Sequence, residues 1–351
     1  MDGADGHPML SPTSTLALRI KAQKTLQQSA RTPATFYRNL EEALEVRRAS
    51  SIFYAVVQND WKTGDVVDFC SNDHGIQTLS TGSGGSRLMD GNYPYIEQVE
   101  REIAAFHGAE AGLILSSGFD ANLAVWSAIP RPGDVILYDS LVHASTHEGM
   151  ERSLAMQKIE FQHNNVNSFR SALVLILESQ PQIKQGRRSV LVAVESVYSV
   201  DDDVCPLQDL VDVAEEMFHD RGNIQFVIDE AHSTGIIGPK GGGLVCQLGL
   251  EKDIAVRVHT YGKAMGSSGA IILGNNTLRS VLANLSRTTI FTTAPSFPSV
   301  TAIRARYSLL NTSHGEKVSS LKPSHTHSAE IERRHRRKNV SNTWHGTSSK
   351  K

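Results

Sequence analysis

Between about residues 100 and 300 the chain alternates short, nearly continuous apolar runs with longer amphipathic stretches, and this alternation constrains its fold more than any other feature. The runs are LILSS from 113, DVILYD from 134, SVLVAVES from 189, IQFVIDE from 224, DIAVRVHTYG from 253 and GAIILG from 269. They are rich in Val and Ile and lack the polar alternation of a half-exposed strand, the pattern of a strand covered on both faces. The stretches between them suit helices. In PLQDLVDVAEEMFHDRG, Leu207, Leu210, Val211, Ala214, Met217 and Phe218 recur at helical spacing, with Pro206 suited to the first turn and Gly222 to the stop. Strand then helix, repeated, predicts an α/β fold: a doubly wound, mostly parallel sheet with helices on both faces. In such a sheet the functional groups belong just beyond the carboxyl ends of the strands.

The flanks differ from this body. Residues 1–35 predict a loose N-terminal segment, in which the first fifteen residues are rich in Gly, Ser, Pro and Asp, and FYRNLEEALEVRR (36–48) predicts a surface helix of mixed charge. From Asn311 onward, nine Lys or Arg stand against three acids with almost no large aliphatic residue, so 311–351 predicts a basic polar tail without fixed structure. The run Arg333, Arg334, His335, Arg336, Arg337, Lys338 has the composition of a nuclear address or an RNA-binding tail, but it is read in preference as a solvated tail with no partner. His325 and His327 lack a third ligand, so no metal site is predicted. The large domain is therefore expected over 36–310, and no repeat of 20–50 residues is visible.

Composition excludes several classes. A formal charge of −2 gives no global drive toward nucleic acid. No run approaches the length of a membrane-spanning helix, and MDGADGHPML is not the head of a signal peptide. Cys70, Cys205 and Cys246 are too scattered for a disulfide framework or zinc knuckle, which predicts a reducing, cytoplasmic setting.

Two nucleotide-binding readings fail on inspection. Asp229, Glu230, Ala231 and His232 resemble a helicase acidic box, but around Gly262 and Lys263 the required phosphate loop has Arg257 for its first glycine and Ala264 for its hydroxyl. The stretch TGSGGSRLMDGN has Gly82, Gly84 and Gly85, yet Arg87 stands at the third glycine of a dinucleotide fingerprint. Taken together, Asp229 at one strand end and Lys263 in a Gly-rich turn at the next are what pyridoxal 5'-phosphate needs. The lysine forms a Schiff base with its aldehyde, and the carboxylate keeps its ring nitrogen protonated. Gly118 and Phe119, between LILSS and the helix DANLAVWSAI, offer backbone N–H groups at a helix start to the phosphate. His143, after DVILYD, either stacks on the ring or merely caps the helix that follows.

The ordered motifs SGFDAN, LVHAS, ESVYSVDDD, IDEAHSTG and HTYGKAMGSSGA, with TGSGGSRLMDGN upstream, resemble the α-oxoamine synthases. This family of fold-type-I pyridoxal-phosphate enzymes, in the aminotransferase class I/II superfamily, includes 8-amino-7-oxononanoate synthase, 5-aminolevulinate synthase and serine palmitoyltransferase. The likeness runs from about Leu40 to about Leu310. It implies that Lys263 is the Schiff-base lysine, Asp229 the partner of the ring nitrogen and His143 the stacking residue. By the same resemblance His232 and Ser199 contact the phenolic oxygen, Gly118, Phe119 and Thr260 surround the phosphate, and Thr292 and Thr293 of IFTTAPSFP reach a neighbouring subunit's phosphate in a homodimer. Asn72 corresponds to a residue near the amino-acid substrate, and Glu195 to an acidic position whose role is either functional or structural. The implied reaction condenses an amino acid with an acyl thioester, on CoA or a carrier protein, and releases carbon dioxide to leave an α-amino ketone. The wording RLMDGNYPY resembles fungal members acting in secondary metabolism.

The sequence also departs from that pattern. Nine residues separate Asn72 from Gly82 where the family has a longer segment. Tyr54 stands where an acyl-contacting arginine is expected, with Arg47 and Arg48 one to two turns earlier. No small C-terminal domain with a carboxylate-binding arginine is legible after Leu310. Two other readings therefore stand beside the synthase: an aminotransferase using the same Lys263 and Asp229, or a cofactor-binding protein without synthase activity.

Overall fold

The computed structural model describes residues 34–55, 82–218 and 222–312. All six apolar runs form strands: β1 (Ala111–Leu115), β2 (Val135–Asp139), β4 (Val190–Glu195), β5 (Ile224–Asp229), β6 (Ile254–Thr260) and β7 (Ala270–Gly274). They are joined by β3 (Gln157–Phe161), and among the described residues the sheet has the order β1-β7-β6-β5-β4-β2-β3. β3, β2, β4, β5 and β6 run parallel to one another, whereas β7 is antiparallel to both β6 and β1. The sheet is thus mostly parallel, as the continuous runs predict, and β4 is buried along its whole length.

The apolar runs did not announce β3, for a physical reason. Among the described residues it pairs with β2 alone, and its Gln157, Lys158 and Glu160 are exposed. Polar, charged residues on an edge strand discourage pairing with another chain and also erase the hydrophobic signature.

The helices are α1 (Thr35–Ala49), α2 (Pro94–Phe106), α3 (Gly118–Ala128), α4 (Ala144–Glu151), α5 (Val166–Ser179), α6 (Pro181–Lys184), α7 (Leu207–Phe218), α8 (Leu244–Leu248), α9 (Asn276–Leu285), α10 (Arg287–Phe291) and α11 (Phe297–Leu310). None of the described helices is long and apolar enough to cross a membrane. α7 forms as its spacing predicts and buries Leu207, Leu210, Val211, Ala214 and Phe218. α1 corrects the expectation of a surface helix. Phe36, Leu40 and Leu44, one turn apart, are at most 1% exposed and belong to the main core, so only the opposite, charged face meets solvent.

Arg87 explains why the glycine-rich stretch is not a nucleotide loop. Its guanidinium grips Glu100 of α2 through two bonds of 2.5 and 3.0 Å, and its Nε donates to Asn92 Oδ1 at 3.1 Å. Both members of the pair are at most 3% exposed. Glu100 also accepts from Ile114 N at 2.7 Å, which ties the 82–92 loop to β1. The loop is stitched as well to the segment after α10: Ser83 Oγ donates to Ala294 O at 2.7 Å and Ala294 N to Gly85 O at 2.8 Å.

Removing Arg87 from this buried pair leaves Glu100 with only the longer contact to Arg279, at 3.3 Å, and the Ile114 N–H to offset its burial. Arg87→Met is therefore expected to cost about 3–5 kcal/mol, read as a lowered urea midpoint with an unchanged slope. Arg304→Met, which removes an exposed pair with Glu102, is expected to move the midpoint little.

Candidate active site

The loops that follow β1, β2, β4, β5 and β6 leave the same carboxyl edge of the sheet, as does the one after β3, and the first five carry most of the residues singled out in the sequence. Ser117 caps α3: its hydroxyl accepts from Asp120 N at 3.1 Å and donates to the Asp120 carboxylate at 2.8 Å. Gly118 and Phe119 are thus the first residues of an eleven-residue helix, whose free N–H groups and positive dipole end favour an anion. A Cβ on Gly118 would lie 2.2 Å from Thr260 Oγ1, so the start of α3 touches the end of β6 and only glycine fits there.

Asp229, 9% exposed, ends β5. Its Oδ2 accepts from Asn122 Nδ2 at 2.7 Å and its Oδ1 from Ala231 N at 2.8 Å. Asn122 spends its second amide hydrogen on Ser145 Oγ at 3.0 Å. The Ser145 hydroxyl is then left to donate to His143 Nδ1 at 2.7 Å, and the same nitrogen accepts from Ser145 N at 3.2 Å. This network assigns the proton of a neutral His143 to Nε2. His143 does cap α4, as one of its two readings had it, yet its ring remains exposed and stands edge-to-face with Phe119, centroids 6.4 Å apart.

Glu195 ends β4 directly beside Asp229 in the parallel register, and its Oε1 accepts from His143 N at 2.6 Å. Burial, and then the neighbouring Asp229 charge, push its carboxyl up to about 8. The charge of Lys263 opposes that rise and also helps lower His232, on which burial acts most strongly, so Lys263 lies within the electrostatic reach of both. Lys263 itself is exposed in the turn between β6 and β7, which is closed by Gly266 N to Lys263 O and Tyr261 N to Gly269 O, both at 2.9 Å.

Ser199 is exposed on the loop between β4 and α7. Thr292 and Thr293, also exposed, line a shallow cleft with Ser116, Asp120 and Arg87, within one chain. Asn72 lies outside the described residues, as do His325, His327 and the basic run after Arg333. Glu230, the second acid of the supposed helicase box, points away from this edge. It accepts from Leu244 N and Val245 N at 2.9 Å, capping α8, and from the Ser233 hydroxyl. Sequence reasoning missed Asn122 and Ser145. Asn122 had one signal: it is a lone amide on a helix whose neighbours Ala121, Ala124 and Val125 are apolar and buried.

A mostly parallel sheet with helices on its faces, and a buried carboxylate, a lysine and a helix start gathered at its carboxyl edge, is the large domain of a fold-type-I transferase. The family profile described as Aminotransferase class I and II matches residues 58–330, and the chain belongs to that family. It is 49% identical over 327 residues to the aminoacyl transferase sphA of Byssochlamys spectabilis, covering 87% of this chain and 68% of that one. It is 50% identical over 228 residues to an 8-amino-7-oxononanoate synthase of Emericella nidulans, covering 65% and 55%. Among solved structures, a Sphingomonas wittichii serine palmitoyltransferase superposes with a TM-score of 0.57 at 28% identity, covering 66% of this chain and 54% of that one. A serine palmitoyltransferase from S. paucimobilis, solved with pyridoxal phosphate and myriocin bound, gives 0.59 at 28%, covering 67% and 57%. The chain thus spans just over two thirds of its sphA relative and little more than half of these structures.

Two outcomes follow from the packing. Gly118→Ala is expected to destabilise the fold by about 1–3 kcal/mol, and Thr260→Ala to restore part of that loss in thermal unfolding. Glu195 is raised above its unfolded value, so its contribution to stability is full below about 4.5 and is lost as pH rises through about 8. Stability measured across that window is expected to fall less steeply with pH in Glu195→Gln than in the wild type.

Proposed function

We propose that the chain is a pyridoxal-phosphate-dependent acyltransferase of the α-oxoamine synthase type. It condenses an amino acid with an acyl thioester, on CoA or a carrier protein, and releases carbon dioxide and a thiol to leave an α-amino ketone. The observation that carries this reading is Asp229, a carboxylate fixed by Asn122 and Ala231 N on the same strand edge as Lys263, His143 and the start of α3. The residues fit the cofactor's parts. Lys263 would hold its aldehyde carbon, Asp229 its ring nitrogen and His143 one ring face. His232 and Ser199 would face its phenolic oxygen, with Gly118, Phe119 and Thr260 about its phosphate. Once bound, the cofactor supplies an electron sink for the carbon bonds of the amino acid.

The protein's share of the chemistry is positioning and proton handling. Asp229 would hold a proton on the ring nitrogen of the bound cofactor, and Asn122 fixes the orientation of that carboxylate. With the cofactor bound, Lys263 Nζ would be the base that removes the amino acid's α-proton and later returns a proton. Glu195, held largely protonated below about 8, orients the backbone of His143 without adding a second negative charge beside Asp229.

The site is open in a single chain, with Phe119, His143, Ser199 and Lys263 exposed and Phe291 71% exposed close by Thr292. This supports a homodimer in which Thr292 and Thr293 complete the partner's phosphate pocket and Asn72 meets the amino acid. A cytoplasmic setting accords with free Cys205 and Cys246.

The full chain mixed with pyridoxal phosphate is expected to gain a visible band of lysine-bound cofactor, which Lys263→Ala lacks. Amino acids should shift that band, and an acyl-CoA should then release thiol; Asp229→Asn is expected to slow release by roughly 10²–10⁴-fold. No band in the wild type sinks the cofactor assignment. A band that responds to amino acids without thiol release favours an aminotransferase or a cofactor-binding protein.

A further inference from the structure

His163, which the proposed mechanism does not use, sits where two of the site's loops meet. Its Nδ1 lies 2.8 Å from Asp139 Oδ1 and its Nε2 lies 2.9 Å from Asp203 Oδ2. Asp139, 1% exposed, ends β2 and shapes the turn toward His143: its Oδ1 also accepts from Leu141 N at 2.9 Å. Asp203 shapes the loop carrying Ser199. Its carbonyl accepts from Tyr198 N at 3.0 Å, Asp202 N donates to Tyr198 O at 2.9 Å, and Cys205 N donates to Ser196 O at 3.1 Å. The Tyr198 ring stands edge-on to His163, centroids 4.5 Å apart.

Both ring nitrogens face carboxylates, and a carboxylate only accepts. Both carboxylates are satisfied when both nitrogens carry protons; in a neutral ring protonated on Nδ1, the bare Nε2 has the Asn164 amide 3.3 Å away as a donor but stands closer, at 2.9 Å, to the Asp203 oxygen. Asn164 adds a second tie across the same gap. Its left-handed φ of 49° lets its N donate to Asp139 Oδ2 at 2.8 Å while its Nδ2 reaches Asp203 Oδ2 at 2.8 Å.

We propose that His163 is a positioning residue: as an imidazolium it clamps the β2–α4 turn bearing His143 to the β4–α7 loop bearing Ser199, and so fixes the width of the cofactor pocket between them. The cofactor part of this rests on the proposed function; the clamp itself does not. The titratable groups around His163 are Asp139, Asp203, Tyr198 and Cys205, and burial pushes the last two up, so they stay neutral. Burial opposes the charge on His163, but its bonds to Asp139 and Asp203 outweigh that and raise it above the usual 6.5. With a raised value in the folded state, the clamp is at full strength below about 6.5 and fades as pH rises through the raised value.

The test is hydrogen exchange at the amides of 198–205 in the full chain without cofactor, corrected for the intrinsic pH dependence, beside pyridoxal-phosphate affinity at each pH. In wild type, protection of Tyr198, Asp202 and Cys205 is expected to fall as pH rises past the histidine range. His163→Phe keeps a ring against Tyr198 but loses both ion pairs; it should exchange these amides about tenfold faster near pH 6 and about equally at high pH. Asp203→Asn, altering only the more exposed partner, should act in the same direction and add little to His163→Phe. Cofactor affinity should weaken in parallel, by about tenfold near pH 6. Wild-type protection in His163→Phe, or a loss of equal size at every pH, overturns the clamp; if that variant does not fold, Asp203→Asn with wild-type protection does so instead. Altered protection in a chain that binds no cofactor leaves the clamp standing and sinks the functional reading.

Discussion

The bond from Asn122 Nδ2 to Asp229 Oδ2 is the contact on which the arrangement of the site depends. It crosses from the first turns of α3 to the end of β5, and so fixes a helix start against a strand end. The same amide reaches Ser145, and through it His143, on a third element. The close approach of Gly118 to Thr260 brings in β6, from whose end Lys263 follows. A side chain with two amide hydrogens can serve two acceptors at once, and no apolar residue of similar volume could hold Asp229 and Ser145 together.

The second constraint is charge. β2, β4 and β5 are neighbours in the sheet and end in Asp139, Glu195 and Asp229, three carboxylates with at most 9% exposure. Buried like charges repel strongly where water is excluded. The protein resolves each differently. Asp139 faces the His163 imidazolium, Glu195 is pushed toward its neutral form by burial and by Asp229, and Asp229 receives two N–H donors. Asp229 is thereby held by Asn122 and Ala231 N at the edge where a cationic ring would need a carboxylate. Behind the sheet edge, the Arg87–Glu100 pair fixes the 82–92 loop, and through Ser83 and Gly85 it steadies the segment bearing Thr292 and Thr293.

Much of this was legible in the chain. Six strands were readable because both their faces are covered, so burial wrote itself as unbroken Val and Ile. β3 was not, because an exposed edge carries Lys158 and Glu160 for reasons unrelated to burial. α1 read as a surface helix because its three buried apolar residues, Phe36, Leu40 and Leu44, are outnumbered by its charges. At the site, residues with distinctive chemistry stood out at strand ends. Asn122 and Ser145 did not, since a polar residue's partner lies 107 residues away for one and its value depends wholly on that partner.

The sequence alone determined the fold class, the direction of most strands and which strand ends carry Asp229, Lys263 and His143. Periodicity is a local property, and a parallel sheet places every strand's end on one edge. Only the tertiary structure decided how those ends are tuned. It made Arg87 an internal anchor rather than a failed glycine, turned Glu230 toward α8, joined Asn122 to Asp229 and set His163 between two loops. Each of these depends on distance and burial between residues far apart in the chain, and hydrogen bonds and charge interactions take their strength from those two quantities.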